Sequence, residues 1–264
     1  MPDFFYAISH GRIIMFMKKI YSALFCGILA LIFTDCASNS FALNSYGSAA
    51  VVGVKGNKNL SEQTDTIFVR SDEEDIDDTS ILSLLTDKFL HSENSELLTA
   101  QDRVDYAEEY FHTAIEEIAG IKVAEKNDVI ESEAYKNSSK NIFEIFDTWI
   151  SATGFNKNLY SIGAKKARML MQELGVDMLI TADFRFNKLF ADESKVRTTV
   201  RAQVIMDVIV YDSNGKKIIM DSFEATSFEK LDVKRFKYDT DALIDSYPAT
   251  IESVINKFIM KYTL

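Results

Sequence analysis

Gln172-Glu173-Leu174-Gly175-Val176-Asp177-Met178-Leu179-Ile180-Thr181-Ala182-Asp183-Phe184-Arg185-Phe186 is the stretch that decides the fold. Helical spacing from Ser161 stops at Gly175 and an apolar run begins at once, so a helix feeds directly into a strand over residues 176–186. A longer run rich in β-branched residues spans 196–211, and Asp212-Ser213-Asn214-Gly215-Lys216 follows it. Asn-Gly between two β runs signals a hairpin, because a tight turn needs residues that accept positive φ. Residues 217–227 return as the next strand. Strands that follow one another through short turns pair antiparallel, whereas strands separated by helices join a sheet through crossovers.

Towards the N-terminus, Ala49 to Val54 is a short apolar run closed by Lys55-Gly56-Asn57, as expected for a buried first strand and a turn. Residues 57–79 are polar and end in Asp72-Glu73-Glu74-Asp75-Ile76-Asp77-Asp78. That cluster lacks the glycine and distal glutamate of a calcium loop and reads as a solvated loop. A short amphipathic segment runs from Ile81 to Leu90. Thr99 and Asp102 predict the cap of a longer helix, in which Val104, Ala107, Phe111, Ala114, Ile115 and Ile118 share one face. Gly120 ends it, Ile121 to Ala124 reads as a second strand, and helices are expected over 128–136 and 139–151, the latter with Ile142, Ile145, Phe146 and Trp149 on a stripe. A last helix over 239–262 presents Leu243, Tyr247, Ile251, Val254, Ile255, Phe258 and Ile259, with Pro248 either kinking it or starting its longer segment. The expected order is β-α-β-α-β-β-β-α. It makes an α/β (α+β) fold with a single mixed sheet of about five strands packed by helices.

Met17-Lys18-Lys19 and the mostly apolar run Ile20 to Phe33 have the charge and length of an export signal, too short to span a bilayer comfortably. Met15 or Met17 is a better start than Met1. Thr34-Asp35-Cys36 closes the run, and a Ser- and Asn-rich stretch to Ser48 suits a tether. Residues 1–35 are therefore read as N-terminal extension and export signal, 36–48 as a linker and 49–264 as a single domain. The pattern at Cys36 resembles the lipobox of bacterial lipoprotein precursors, which makes Cys36 the lipidated residue, although Asp35 stands where that pattern has a small residue. Cleavage after Ala42, at Ser40-Phe41-Ala42, and an uncleaved anchor are the alternatives.

Removing 35 residues leaves 26 basic and 38 acidic groups, net −12, so a nucleic-acid partner is not expected. Both cysteines, Cys26 and Cys36, lie in the export region, which leaves the domain without a disulfide, a cysteine zinc site or a cysteine nucleophile. No H-E-x-x-H, G-x-S-x-G or P-loop occurs, and Gly53-Val54-Lys55-Gly56 has too few glycines for a dinucleotide loop. No cofactor or metal site is expected, and His112 reads as a boundary histidine.

The early strand, the helix into Ile121, the phrase Gln172 to Ala182 and the turn Asp212 to Lys216 together resemble the periplasmic α/β domains of CsgG, LpoB and the TolB N-terminal domain, over roughly residues 49–262. The resemblance implies a non-enzymatic envelope protein that docks a partner or assembles with itself. The expected molecule is an exported lipoprotein of the cell envelope, held by a lipid at the outer membrane or periplasmic face, with a secreted or periplasmic soluble protein as the alternative location. Its partner is an envelope protein or a further copy of the chain. A secretion-channel-like subunit, with a lipid-facing hairpin in 181–211, and a cell-wall hydrolase using carboxylates such as Glu131 with Glu133 or Asp177 with Asp183 are the alternative functions.

Two clusters stand out as partner-binding candidates. Asp207 interrupts the apolar run 204–210, and a lone buried carboxylate is costly, so it should face solvent, meet Arg201 or Arg185, or lie at an interface. Phe184 and Phe186 share one strand face with Arg185 between them. That face is core unless exposed, in which case Phe184, Arg185, Phe186 and Asp207 form a docking patch.

Overall fold

The computed structural model of the protein describes residues 42–65, 98–138, 148–157, 159, 162–194, 197–235 and 237–263. Cys36, the acidic cluster at 72–78 and the segments expected helical at 81–90 and 139–147 lie outside the described residues. Residues Ala42–Leu264 form one compact unit.

The strands are β1 (Ser48–Asn57), β2 (Ser61–Asp65), β3 (Lys122–Val123), β4 (Trp149–Ser151), β5 (Met178–Ser194), β6 (Arg197–Tyr211), β7 (Lys217–Thr226) and β8 (Leu231–Val233). The helices are α1 (Ala100–Glu117), α2 (Lys126–Glu131), α3 (Glu133–Lys136), α4 (Ala164–Leu174), α5 (Thr240–Asp245) and α6 (Tyr247–Thr263). The mixed α/β fold and its single mixed sheet agree with the sequence, but eight strand segments replace about five. They occupy five ranks, in the order β3-β1-β5-β6-β7. β4 continues the β3 rank along β1, β2 continues the β1 rank along β5, and β8 continues the β7 rank along β6.

β1 pairs parallel with β3 and β5, while β6 is antiparallel to β5 and β7. β5 is the spine: its 17 residues reach about 55 Å when extended. The strand expected to stop near Phe186 runs eight residues further, because Asn187 and Lys188 are paired within the sheet. Asn187 donates to Gln203 at 2.9 Å and Lys188 lies 3.2 Å from Glu62. Lys55-Gly56-Asn57, read as a turn, ends β1 instead, and Asn57 replaces the ladder where β1 gives way to β2. Its amide accepts from Phe186 N at 2.6 Å and donates to Phe186 O at 2.9 Å. Gly56 has no room for a side chain, since a Cβ would come within 2.7 Å of Phe186 and Val104. Trp149, placed on a helical stripe by its spacing, lies in β4.

α1 and α6 pack together on one face of the sheet. Their stripes fall as the spacing predicts, except that Ile118 lies beyond the last turn of α1 and is exposed. Thr99 and Asp102 close the predicted capping box, and Gly175 ends α4 at φ +65°. Replacing Thr99 with alanine removes the oxygen that accepts from Asp102 N, and unfolding free energy should fall by about 1 kcal/mol in urea titrations. Pro248 stands in the first turn of α6, so it starts the longer segment and does not kink it.

Core aromatics bind the helices to the sheet. Phe184 stacks on Phe186, Phe186 meets Tyr247 edge-on at 5.9 Å, and Phe258 touches both Phe111 and Phe223. Every residue from Met178 to Phe184 is buried, so both faces of the sheet are covered along the first half of β5. Leu43, expected in the linker, is also buried, and Asn44 donates to Thr263 O at 3.2 Å, so the folded region starts before residue 49. Among the described residues no helix is long and apolar enough to cross a membrane.

Candidate docking face

Phe184 and Phe186 do not form the exposed patch that the sequence allowed. Both are fully buried on the helix-covered face, because Phe186 lies between Phe184 and Tyr247 of α6. Period two sends Arg185 and Asp207 to the opposite face, where they pair at 2.8 Å. Of the two partners foreseen for Asp207, Arg185 is the one found. Arg201 instead donates to Ser227 O.

This second face is open towards β7, where Met220, Ser222 and Glu224 are exposed, while Asp183, Asn187 and Gln203 are buried. Register places Lys55, Asp183, Asp207 and Ser222 in one row across β1, β5, β6 and β7. Neighbours in such a row have Cβ atoms about 5 Å apart, so the two carboxylates repel and each needs its own cation. Lys55 lies 3.2 Å from Asp183 and Arg185 lies 2.8 Å from Asp207. Lys55 also sits over the Trp149 ring at 5.3 Å. Burial pushes the Asp183 carboxyl up to about 7, Lys55 pulls the other way, and the Asp207 charge adds to the rise. A carboxyl that holds its proton up to near neutrality therefore sits between Lys55 and Asp207.

Further along the face, Asn187 donates to Gln203, and Gln203 donates to Glu224 of β7 at 2.8 Å. Met220 and Phe228, near the two ends of β7, are 73% and 100% exposed. The outer edge of β7 is guarded. Lys257 donates to Glu224 O at 2.7 Å, Ser222 N donates to Asp221, and Lys261 and Tyr262 of α6 both hold Asp221. With Glu224 O and Ser222 N occupied and α6 beside it, this edge is closed to a foreign strand, so the exposed face is the better contact surface.

Of the carboxylate pairs first considered for acid–base work, Asp177 and Asp183 are not brought together. Asp177 precedes β5 and accepts from Gly47 N and Ser48 Oγ, about 20 Å of extended strand away from Asp183. Glu131 pairs with Lys136 at 2.8 Å. A groove between α1 and α2 holds Asp105, Glu108, Glu109 and Glu125, with His112 at its wall. Two of its four carboxylates are engaged: Asp105 accepts from Thr153 N and Oγ1, and Glu108 pairs with Lys126. Among the described residues no group of three or more His, Cys, Asp or Glu is placed to hold a metal ion.

Sequence reasoning also missed Arg103. Its guanidinium is buried between Phe186 and Tyr247, at 5.5 and 5.6 Å, and Nη1 donates to Leu98 O. Burial lowers its affinity for the proton. No carboxylate partner marks it in the sequence. It joins α1, α6 and β5 from within the core and does not reach the open face.

No family model and no curated protein matches this chain.

Proposed function

We propose that the protein is an exported cell-envelope lipoprotein of the kind resembled by CsgG, LpoB and the TolB N-terminal domain, tethered by a lipid on Cys36. Its α/β domain docks an envelope protein or a second copy of itself. The open part of the sheet carries this reading: Lys55, Asp183 and Asp207 in one row, with Arg185 paired to Asp207, bordered by exposed Met220 and with a guarded edge beside it. A tether raises the effective concentration of such a face near membrane-bound partners, so modest contacts suffice. The β5–β6 hairpin, the candidate named for a channel wall, is paired on both outer edges by β1 and β2 and by β7 and β8, which favours docking over the channel reading.

A photo-crosslinking residue at position 220, in the intact envelope, should give a discrete adduct, and the same residue at Met260 on α6 should not. Equal adduct patterns at both positions would count against the sheet face. Fatty-acid labelling of the wild type, lost in Cys36→Ala, is the expected result for the tether; label kept by that variant removes Cys36 from the reading.

Asp183 and Asp207 also favour a second reading, a hydrolase in which Asp183 gives up its proton near neutral pH. Turnover of cell-wall material that disappears in Asp183→Asn would promote it over docking.

A further inference from the structure

We propose that the domain's proximal end, where β1 begins, lies against an anionic phospholipid surface. Its contact would be the outer face of α4 together with the β6–β7 turn. This inference rests on the tether reading above and adds what the tether brings to the membrane.

Two segments with no acidic residue, 162–171 and 213–220, carry Lys165, Lys166, Arg168, Lys216 and Lys217 in a chain of net charge −11. They lie far apart in sequence and meet at one contact: Gly215, at the tip of the turn, packs on the backbone of Ala164. Five cations therefore gather at one end of an acidic protein. Lys55, Lys126, Lys136, Arg185, Arg197 and Lys261 each have a carboxylate partner. Among the described residues Lys165, Lys166, Arg168 and Lys216 have none. The nearby acids are turned to the backbone. Asp212 accepts from Asn214 N and Lys216 N, Asp177 from Gly47 N, and Glu173 from the amides of Glu133 and Ala134.

Lys217 lies over the Tyr211 ring at 5.9 Å, but fold stability does not account for the two α4 lysines. Lys165 and Lys166 occupy the first turn of α4, whose preceding Gly163 makes no side-chain cap, and positive charge there opposes the helix dipole. On the exposed side of α4, Lys165, Arg168 and the half-exposed Met169 are neighbours at three- and four-residue spacing. Cations flanking an exposed apolar side chain suit the headgroup region, where the charge meets phosphate and the methionine reaches the acyl boundary.

Position supplies the rest. Leu43 is buried, Tyr46 lies beside Asp212 and Asp177, and Gly47 bonds Asp177, so the chain enters the fold beside the basic turn. Cys36 precedes Ala42 by six residues, which span at most about 20 Å even when extended. A lipid on Cys36 holds this end, and not the hairpin tip, within reach of the bilayer.

The test uses the processed, lipid-bearing protein in bilayers that carry a lipid-linked quencher. After export Cys36 is the only native cysteine and its sulfur holds the lipid, so Met169→Cys and Phe228→Cys each accept a single fluorophore. In phosphatidylglycerol bilayers the label at 169 should be quenched and the label at 228 should not. Quenching at 169 should fall to the level at 228 in Lys165→Gln/Lys166→Gln/Lys216→Gln, which keeps its fold by circular dichroism. Equal quenching in neutral phosphatidylcholine, or no loss in the triple variant, overturns the proposal. Fatty-acid labelling of the same preparation reports the tether separately: a labelled protein with position 169 unquenched refutes the membrane face and leaves the tether standing. An unlabelled protein refutes the tether. The processed chain is then sedimented with phosphatidylglycerol vesicles, where the wild type must bind at least about tenfold more tightly than the triple variant or the membrane face falls as well.

Discussion

Gly215→Ala should lower the unfolding free energy by about 2–4 kcal/mol, from two separable causes. Gly215 holds φ +73°, a left-handed conformation in which an alanine Cβ crowds its own backbone. That Cβ would also point at α4, reaching within 2.9 Å of Ala164 Cα and closer still to its carbonyl oxygen. Backbone cannot rotate away as the end of a side chain can, so the turn or α4 must shift. Gly215→Asn separates the causes, because asparagine tolerates the left-handed region but still carries a Cβ. If the Ala164 contact dominates, both variants lose similar stability in urea titrations. Near-full recovery in the asparagine variant would assign the cost to backbone strain alone. Ser213→Ala, in the same turn but exposed, should change stability by less than about 0.5 kcal/mol.

Much of this architecture was legible where local chemistry and tertiary packing demand the same residue. Thr99 with Asp102, Gly175, the Asp212 to Gly215 turn and the stripe from Tyr247 to Ile259 each satisfy a local rule that the fold then uses. The extra strands had no such signal. β2 is Ser-Glu-Gln-Thr-Asp, with no apolar alternation, and is held by its ladder to β5. Trp149 continues a three- and four-residue spacing from Ile142 that fits a helix, yet the end of that segment pairs with β1. The site was only half visible for a related reason. Asp207 was conspicuous inside an apolar strand, but its neighbour depends on the β5–β6 register, which pairs it with Asp183. Period two fixes which residues share a face but not which residue stands opposite which, so the sequence alone does not place Asp183 beside Asp207. Phe184 and Phe186 show the converse limit. Period two puts them on one face, but only the docking of α1 and α6 decides that it is the buried one.

The row through Asp183 makes stability fall as pH rises from about 4 to about 7, the reverse of what a salt-bridged carboxylate gives. The carboxyl's ordinary value is 3.8, and burial lifts it to about 7 in the folded protein. Between those values the native state holds a proton that the unfolded chain has released, so each step up in pH favours unfolding. Below about 4 both states are protonated, and above about 7 both are ionised, so the contribution is flat outside the window. The difference between the two values sets a ceiling of about 4 kcal/mol. Asp183→Asn keeps a neutral group at every pH and should flatten the slope, matching wild type near pH 4 and exceeding it at pH 8 in urea titrations. Lys55 can then turn to solvent, since its side chain is already 23% exposed over Trp149. If Asp183→Asn is less stable than wild type at pH 8, the Lys55 ion pair outweighs burial and the sign is wrong. The same proton sets the charge of the proposed docking face. With Asp183 neutral, the charges on Lys55, Arg185 and Asp207 sum to +1; with it ionised, the row is balanced. An acidic partner surface should therefore bind more tightly at pH 6 than at pH 8, and Asp183→Asn should remove that difference while leaving binding itself in place.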